Sequence, residues 1–209
     1  MADDIRTEDG VPIGNHYDKY ASGNPIARAL MRGFEEQVLE LVRQTGARDI
    51  HEVGCGEGHL ARMIASTAPE RFRASDFSGD IVATARDNCT DLDIEFLQRD
   101  IYELQEKDGA ELMICCEVLE HLERPEAALE ILSRIARRHV VFSVPREPLW
   151  RALNMARGKY WGALGNTPGH LQHWSSRRFV AFIGSAFDIV AVRKPLPWTM
   201  VLARVRDRQ

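Results

Sequence analysis

The sequence predicts an α/β domain: a seven-stranded, mostly parallel sheet with helices on both faces and an antiparallel hairpin at its carboxyl end. Three observations lead to this fold class. Short apolar segments, typical of buried parallel strands, alternate with amphipathic helical segments. Glycine-rich or acidic residues directly follow several of these strands, where an open α/β sheet holds its ligands. A proline-containing turn at residues 194–197 separates the last two strand-like segments, which predicts the hairpin.

Length and composition are those of one globular domain. A chain of 209 residues with 44% hydrophobic and 28% charged residues is expected to fold as a single unit, residues 1–209. The first residues are acidic and form no apolar segment, and no apolar stretch reaches the ~20 residues of a spanning helix. These features predict a cytoplasmic protein in which the four cysteines stay reduced.

Charge is unevenly distributed along the chain. Residues 1–145 hold 16 Lys and Arg against 28 Asp and Glu, a net charge of −12, whereas residues 146–209 hold 11 against 3, a net charge of +8. The basic part predicts either contact with something anionic or an ordinary solvated surface.

Two elements precede the first strand. Residues 1–25 are polar and rich in turn-forming residues, and we expect an arm whose Tyr20 either closes over a ligand as a lid or packs the arm onto the domain. Apolar residues then recur with helical period in the segment from Ile26 to Gln44, and Gly46 follows. This second segment is therefore predicted to be an amphipathic helix.

A glycine-rich turn follows the first strand, which is predicted at residues 50–53. Glycines at alternate positions allow a ligand to lie directly against main-chain N–H groups. The dinucleotide pattern G-x-G-x-x-G would need glycine where His59 stands, so a pyrophosphate is not the favoured ligand. The acidic Glu52 would repel a phosphate and suits a cationic nucleoside. The three glycines are Gly54, Gly56 and Gly58.

The segment E-V-G-C-G-E-G at residues 52–58 resembles motif I of the class I S-adenosylmethionine-dependent methyltransferases. The resemblance implies a Rossmann-like fold, with S-adenosylmethionine bound by Glu52, Cys55 and the three glycines. It also implies a lid role for Tyr20, because similar Y-D-x-Y stretches precede motif I in many small-molecule members of the class.

The second strand ends on Asp76, which lies 22 residues after Gly54. A carboxylate at this strand end can accept hydrogen bonds from both ribose hydroxyls of the cofactor. Phe77 is expected to pack on the adenine, and Ser78 to contact the cofactor while capping the next helix. The alternative role of Asp76 is to cap that helix, which Ser78 can do itself.

The third and fourth strands also lead to acidic residues. Asp100 and Ile101 match the third motif of the family, and Asp100 is expected to accept a hydrogen bond from the adenine amino group, with a surface position as the alternative. The nearly all-apolar fourth strand ends at Glu117, expected to contact the cofactor. The glycine turn, Asp76, Asp100 and Glu117 thus converge on one crevice, because the carboxyl ends of parallel strands meet there.

The predicted chemistry lies in E-V-L-E-H-L at residues 117–122. The N/D-P-P-Y/W motif of enzymes that methylate exocyclic base amines is missing, which favours an oxygen acceptor. Glu117, Glu120 and His121 are expected to share one helical turn. The stretch resembles both the ubiquinone-pathway O-methyltransferases and the small-RNA 2′-O-methyltransferases, in which it holds a metal ion. His170 matches a further histidine ligand of the second family.

Two mechanisms follow from these residues. In one, Glu117, Glu120, His121 and His170 bind a divalent cation such as Mg²⁺, which lowers the pKa of the acceptor hydroxyl. In the other, the glutamates face the cofactor amine, and His121 or His170 takes the acceptor proton as a general base. A structural role for each histidine is the remaining alternative.

Residues 146–174 are predicted to form a cap that selects the substrate, because this fold normally has one short helix before its sixth strand. Within residues 146–161, Arg and Lys surround three aromatic residues, Trp150, Tyr160 and Trp161. A basic helix with aromatic anchors is typical of contact with anionic membranes or phosphates, and equally of a helix packed on its own sheet.

The residues together predict methyl transfer to a hydroxyl oxygen of a small, apolar or membrane-associated molecule, such as a quinone, a lipid or a polyketide. The expected partners are this acceptor and an anionic membrane, contacted peripherally through residues 146–161. One alternative is metal-dependent RNA 2′-O-methylation, disfavoured by the absence of an added RNA-binding domain. The other is a module that binds S-adenosylmethionine without catalysis.

Overall fold

Seven strands form one sheet, and helices pack on both of its faces. A computed structural model describes residues 7–8, 11–12, 24–156, 158, 160–167 and 169–206. The strands are β1 (Asp49–Val53), β2 (Arg71–Asp76), β3 (Glu95–Gln98), β4 (Leu112–Cys116), β5 (His139–Pro145), β6 (Phe187–Arg193) and β7 (Trp198–Val205). The α-helices of the described residues are α1 (Pro25–Thr45), α2 (His59–Ala65), α3 (Gly79–Asn88), α4 (Pro125–Ile135), α5 (Leu149–Ala156) and α6 (Ser176–Ala186).

The order of the strands across the sheet is β3-β2-β1-β4-β5-β7-β6. Neighbouring strands are parallel except at β7, which runs antiparallel to both β5 and β6. The predicted fold, a mostly parallel sheet with an antiparallel carboxyl-terminal hairpin, is therefore confirmed. Because β1 to β6 point the same way, their carboxyl ends lie along one edge of the sheet, called here the carboxyl edge.

The sheet is buried on both faces, which explains the apolar strands. Every residue of β4 is buried, and its successive side chains alternate between two cores. Helices α1, α2 and α3 contribute Phe34, Ile64 and Val82 to one core. Helices α4 and α6 contribute Leu132 and Ile183 to the other. All four cysteines are buried and free.

Helix α1 begins and ends within one residue of its predicted limits. Pro25 lies in the first turn, and the side chain of Asn24 accepts a hydrogen bond from the N–H of Ile26 at 2.9 Å. At the other end Gly46 adopts a left-handed conformation with a φ of 61°. These caps fix the limits of the helix that leads into β1.

The predicted arm, residues 1–25, is described in part. Thr7–Glu8 and Val11–Pro12 form a short antiparallel pair. Tyr20 lies outside the described residues, so its lid role stays a prediction.

The predicted cap, residues 146–174, begins at the carboxyl edge directly after β5. It contains α5 and a 3₁₀ turn, Trp161–Ala163. The chain then returns to the end of β4, where the N–H groups of Leu171 and Gln172 donate to the carbonyl oxygen of Glu120 at 2.8 and 3.0 Å. None of the described helices has the length and apolar character needed to cross a membrane.

The position of Trp150 bears on the two alternatives for the cap, contact with an anionic surface or packing on its own sheet. The structure leaves this residue only 8% exposed, which favours packing. Its ring packs against that of Trp198, with centroids 5.8 Å apart. The indole N–H finds a partner inside the protein, the hydroxyl of Thr167 at 2.9 Å, so burial costs no hydrogen bond. The neighbouring Arg157 and Lys159 lie outside the described residues.

Candidate active site

The glycine turn lies at the carboxyl end of β1. The N–H groups of Gly54 and Cys55 donate to the carbonyl oxygen of Ser75 on β2, at 2.7 and 2.9 Å. Gly54 has a φ of 77°, and a Cβ there would collide with a methyl carbon of Val118, so only glycine fits. At Gly56, with a φ of 53°, a Cβ would meet nothing within 4 Å. The turn therefore leaves open space beside its main chain, as a bound nucleoside requires.

Two carboxyl groups, Glu52 and Asp76, lie beside this turn. The side chain of Asp76 accepts hydrogen bonds from the N–H groups of Gly56 at 3.0 Å and Ser78 at 3.2 Å. Glu52 is 2% exposed, and its Oε2 has no hydrogen-bond partner among the described residues. Burial, followed by the charge of Asp76, raises the pKa of the Glu52 carboxyl well above its usual range. A cationic ligand relieves such an arrangement, and S-adenosylmethionine carries both an ammonium and a sulfonium group.

Of the residues that follow β2, one caps helix α3 and another lies where the adenine is expected. Ser78 is fully buried, and its hydroxyl accepts a hydrogen bond from the N–H of Ile81 at 3.4 Å as the cap of α3. The predicted cap role of Ser78 is thus present in the structure, and its contact with the cofactor stays a prediction. Phe77 is half-buried at the carboxyl edge, where the adenine is expected. Gly58 ends the glycine turn directly before α2.

Asp100 and Ile101 follow β3 at the same edge. The N–H of Arg99 donates to the carbonyl oxygen of Asp76 at 2.8 Å, which ties the two strand ends together. The side chain of Asp100 is half-buried and accepts a hydrogen bond from the N–H of Tyr102 at 2.8 Å. Ile101 is only 6% exposed and belongs mainly to the core. The predicted adenine-binding pair is thus next to Asp76, with Asp100 closer to the surface than Ile101.

His51 supports the glycine turn through a hydrogen bond with Ser75. The motifs in the sequence do not reveal this role. This histidine is fully buried in β1, where Nδ1–H donates to the carbonyl oxygen of Asp108 at 2.7 Å. Its Nε2 accepts a hydrogen bond from the hydroxyl of Ser75 at 2.9 Å, and the carbonyl of Ser75 holds the glycine turn. Burial is the main cause that lowers the pKa of His51 from 6.5 to about 4. The sequence offers no clear signal of this role, because β1 also contains the polar residues Asp49 and Glu52.

The buried His51 predicts a loss of stability in mild acid. Its contribution is fully present above the unfolded pKa of 6.5 and is lost as the pH falls toward about 4, because the unfolded chain then binds a proton that the folded chain excludes. We expect the difference in unfolding free energy between the natural protein and His51→Gln to shrink by about 2 kcal/mol from pH 7.5 to pH 5. Urea titrations at the two pH values measure it, and a constant difference would contradict it.

Glu117 takes a different position from the one its spacing predicts. It has a φ of 58°, and a separate 3₁₀ turn, Leu119–His121, follows it, so Glu117 and Glu120 do not share a helical turn. The two oxygens of the Glu117 carboxylate accept hydrogen bonds from the hydroxyl of Ser143 at 3.0 Å and from Nε1 of Trp198 at 2.7 Å. Glu117 therefore joins the ends of β4, β5 and β7.

The other three predicted metal ligands come together. Glu120, His121 and His170 each offer a ligand atom, and these atoms lie within 4.8 Å of one another. The two imidazole rings meet edge to face, with centroids 4.9 Å apart. Nδ1–H of His121 donates to the carbonyl oxygen of Gly169 at 2.9 Å, because a carbonyl can only accept. The lone pair of the neutral ring is then on Nε2, the form that binds a cation or takes a proton.

Comparison with known proteins supports the same class. A family model described as a methyltransferase domain matches residues 50–139, from β1 to the start of β5. This part of the chain contains the glycine turn, Asp76, Asp100 and Glu120. No curated protein matches the chain.

Several solved structures share the fold. The magnesium protoporphyrin IX methyltransferase of Synechocystis with bound S-adenosylhomocysteine is 19% identical, over 90% of this chain and 91% of that chain, with a TM-score of 0.70. The N-methyltransferase NodS of Bradyrhizobium japonicum, also in complex with S-adenosylhomocysteine, is 18% identical over 91% and 94%, with a TM-score of 0.68. The methyltransferase domain of bacterial CtHen1-C is 17% identical over 85% and 100%, with a TM-score of 0.66.

Residues 50–139 match a methyltransferase domain, and the sheet has the fold of methyltransferases solved with S-adenosylmethionine or S-adenosylhomocysteine bound. These findings support an S-adenosylmethionine-dependent methyltransferase with S-adenosylmethionine as its cofactor, as the sequence predicts. The divalent cation stays a prediction.

Proposed function

We propose that this methyltransferase acts on a hydroxyl oxygen of a small acceptor of apolar character, such as a quinone, a lipid or a polyketide. The observation that carries the proposal is the cluster of Glu120, His121 and His170. The acceptor oxygen attacks the methyl carbon in line, the bond from that carbon to the sulfonium sulfur breaks, and S-adenosylhomocysteine leaves. A neutral hydroxyl is a weak nucleophile, so its proton must be removed or its pKa lowered. The cluster supplies groups for either step.

The cofactor is held at the ends of three adjacent strands in this proposal. Asp76 accepts hydrogen bonds from the ribose hydroxyls, and Asp100 accepts one from the adenine amino group. Glu52 faces the methionine ammonium. Phe77 and Ile101 pack against the adenine. These residues lie at the ends of β1, β2 and β3. The three strands are neighbours in the sheet, which supports the assignment.

The two histidines provide a general base. The hydrogen bond from Nδ1–H of His121 to Gly169 keeps the lone pair on Nε2, which can accept the acceptor proton as the new bond to carbon forms. His170 lies edge to face beside it, at a centroid distance of 4.9 Å, and can orient the same hydroxyl. The displacement forms no covalent bond to the protein. Positioning of the two reactants therefore supplies much of the rate enhancement.

A divalent cation fits the same cluster. Two imidazoles and a carboxylate have their ligand atoms within 4.8 Å, and a metal-binding histidine typically donates its other N–H to a carbonyl, as His121 does. Imidazole ligands favour a transition metal such as Mn²⁺ or Zn²⁺, whereas Mg²⁺ prefers oxygen. The donor set thus argues for a transition metal in place of the Mg²⁺ that the sequence suggested. Such a cation, when bound, would lower the pKa of the acceptor hydroxyl.

RNA 2′-O-methylation is the second candidate, and the histidine pair favours it. The resemblance to the small-RNA enzymes implies four ligands, but the carboxylate of Glu117 bonds to Ser143 and Trp198 instead. This departure favours a small acceptor. A peripheral membrane contact has weaker support, because Trp150 is buried inside the domain.

Formation of S-adenosylhomocysteine tests the acceptor class. We expect turnover with a hydroquinone or a catechol and none with a short RNA whose 3′ end carries a free 2′-hydroxyl. Turnover with the RNA alone would replace the proposal by the second candidate. Tight cofactor binding without turnover on either acceptor would favour a non-catalytic module.

Removal of metal tests the cation. We expect a chelator to abolish most of the turnover, and Mn²⁺ to restore it better than Mg²⁺, because two of the three ligands are imidazoles. If the chelator leaves turnover unchanged, proton removal is assigned to the imidazole base without a cation. Calcium added in place of Mn²⁺ serves as the control, since it prefers oxygen ligands.

A further inference from the structure

His170 stands on a segment without regular secondary structure, between the 3₁₀ turn Trp161–Ala163 and α6. A reactive side chain on such a segment is held in place only if neighbouring groups fix it. The ring of His170 nevertheless lies at a defined angle to His121, 82° between the planes, and the residue is only 9% exposed. Some other part of the protein must therefore orient it.

Helix α5 of the cap holds this segment through buried hydrogen bonds. Asn154, which is 1% exposed, donates from Nδ2 to the carbonyl oxygen of Gly165 at 2.9 Å and to the hydroxyl of Thr167 at 3.1 Å. The same hydroxyl accepts a second hydrogen bond from Nε1 of Trp150 at 2.9 Å. Gly165 has a φ of 77°, and a Cβ there would collide with the backbone of Arg151, so the segment lies directly against α5.

The contact continues from Thr167 to His170 in two ways. The carbonyl oxygen of Thr167 accepts a hydrogen bond from the N–H of His170 at 3.1 Å. The indole of Trp150 stacks on the imidazole of His170, with an interplanar angle of 26° and centroids 6.1 Å apart. One threonine hydroxyl thus fixes the indole that sets the plane of the histidine ring. The same indole also packs on Trp198, whose Nε1 donates to Glu117.

We propose that Thr167, together with Trp150 and Asn154, is a positioning residue for His170, so that helix α5 of the cap sets the geometry of the reactive cluster. None of the three side chains acts on the substrate itself. The inference rests on the proposed function insofar as it links the position of His170 to the rate of methyl transfer. The position itself can be tested without turnover.

The test compares Thr167→Val, which keeps the shape and removes the hydroxyl, with Thr167→Ser, which restores it. The readout is the imidazole Cε1–Hε1 resonance of His170 in two-dimensional NMR, assigned with His170→Gln, because stacking on an indole shifts that resonance. We expect Thr167→Val to move the His170 resonance, to leave that of His51 in place, and to lower kcat about tenfold with an unchanged Kd for S-adenosylmethionine. Thr167→Ser should restore both.

Thr67→Val is the matched control, because its hydroxyl donates to the carbonyl oxygen of Ile64 far from the cap. It should leave the His170 resonance and kcat unchanged. An unchanged His170 resonance in Thr167→Val, or a shift that Thr167→Ser fails to restore, would overturn the positioning role. If instead the resonance moves as expected but His170→Ala keeps full turnover, the positioning role stands and the proposed role of His170 in methyl transfer fails.

Discussion

Replacing His170 or His121 by alanine is expected to lower kcat by about 10²- to 10⁴-fold, the usual effect of losing a general acid–base group. The two imidazoles meet edge to face in the cluster, 4.9 Å between centroids, and either mechanism of the proposed function depends on them. Binding of S-adenosylmethionine should stay unchanged, because the residues proposed to bind it lie at the ends of β1, β2 and β3. Stopped-time assays of S-adenosylhomocysteine formation measure kcat, and calorimetry measures cofactor affinity.

His173→Ala is the matched control for this experiment. His173 lies three residues after His170, is largely exposed, and contacts Glu147 at 3.8 Å without joining the cluster. Its replacement should leave kcat close to the natural value. Equal losses in His173→Ala and His170→Ala would mean that the segment as a whole, and not the imidazole of His170, matters for turnover. Full activity in both His121→Ala and His170→Ala would remove the cluster from the chemistry.

Replacing Asp76 by asparagine is expected to weaken S-adenosylmethionine binding about a hundredfold, since hydrogen bonds to a charged acceptor are each worth about 1.5–3 kcal/mol. In the structure this carboxylate already accepts hydrogen bonds from Gly56 and Ser78, so it also orders the glycine turn that is proposed to contact the nucleoside. Titration calorimetry measures the affinity. Asp87→Asn, an exposed carboxylate on α3, is the control for a general change in charge.

A ligand comparison separates the two roles of Asp76. The natural protein should bind adenosine more tightly than 2′,3′-dideoxyadenosine, because only adenosine offers hydroxyls to the carboxylate. In Asp76→Asn the ratio of the two dissociation constants should fall toward one. If the preference is unchanged while both affinities drop, the carboxylate orders the glycine turn and does not contact the ribose.

Several features of the molecule follow from local patterns in the chain. The alternation of apolar strands with amphipathic helices predicts the order of elements, because burial on both faces of a parallel sheet requires it. The glycine turn and Asp76 can be recognised in the sequence because each marks a strand end. Strand ends of this fold meet at one edge of the sheet, whatever residues the rest of the chain contains. The resemblance to the small-RNA 2′-O-methyltransferases implies a cluster of Glu120, His121 and His170, and the structure brings these three residues together.

Other features depend on contacts between residues distant in the chain. Spacing alone puts Glu117 on a helical turn with Glu120, but its left-handed backbone and the indole of Trp198, 81 residues away, direct the carboxylate elsewhere. Composition leaves open whether Trp150 lies at an anionic surface or packs on the sheet, and the structure gives its N–H a buried partner, the hydroxyl of Thr167.

The division between the two groups of features has one physical cause. Periodicity and turn chemistry act over a few residues and can be recognised in a single chain, so the fold class and the cofactor are predictable. The direction of a buried polar side chain depends on which donor or acceptor the folded chain brings within about 3 Å, since leaving a buried polar group unpaired costs about 1–3 kcal/mol. His51, Glu117 and Trp150 therefore take positions that long-range packing sets.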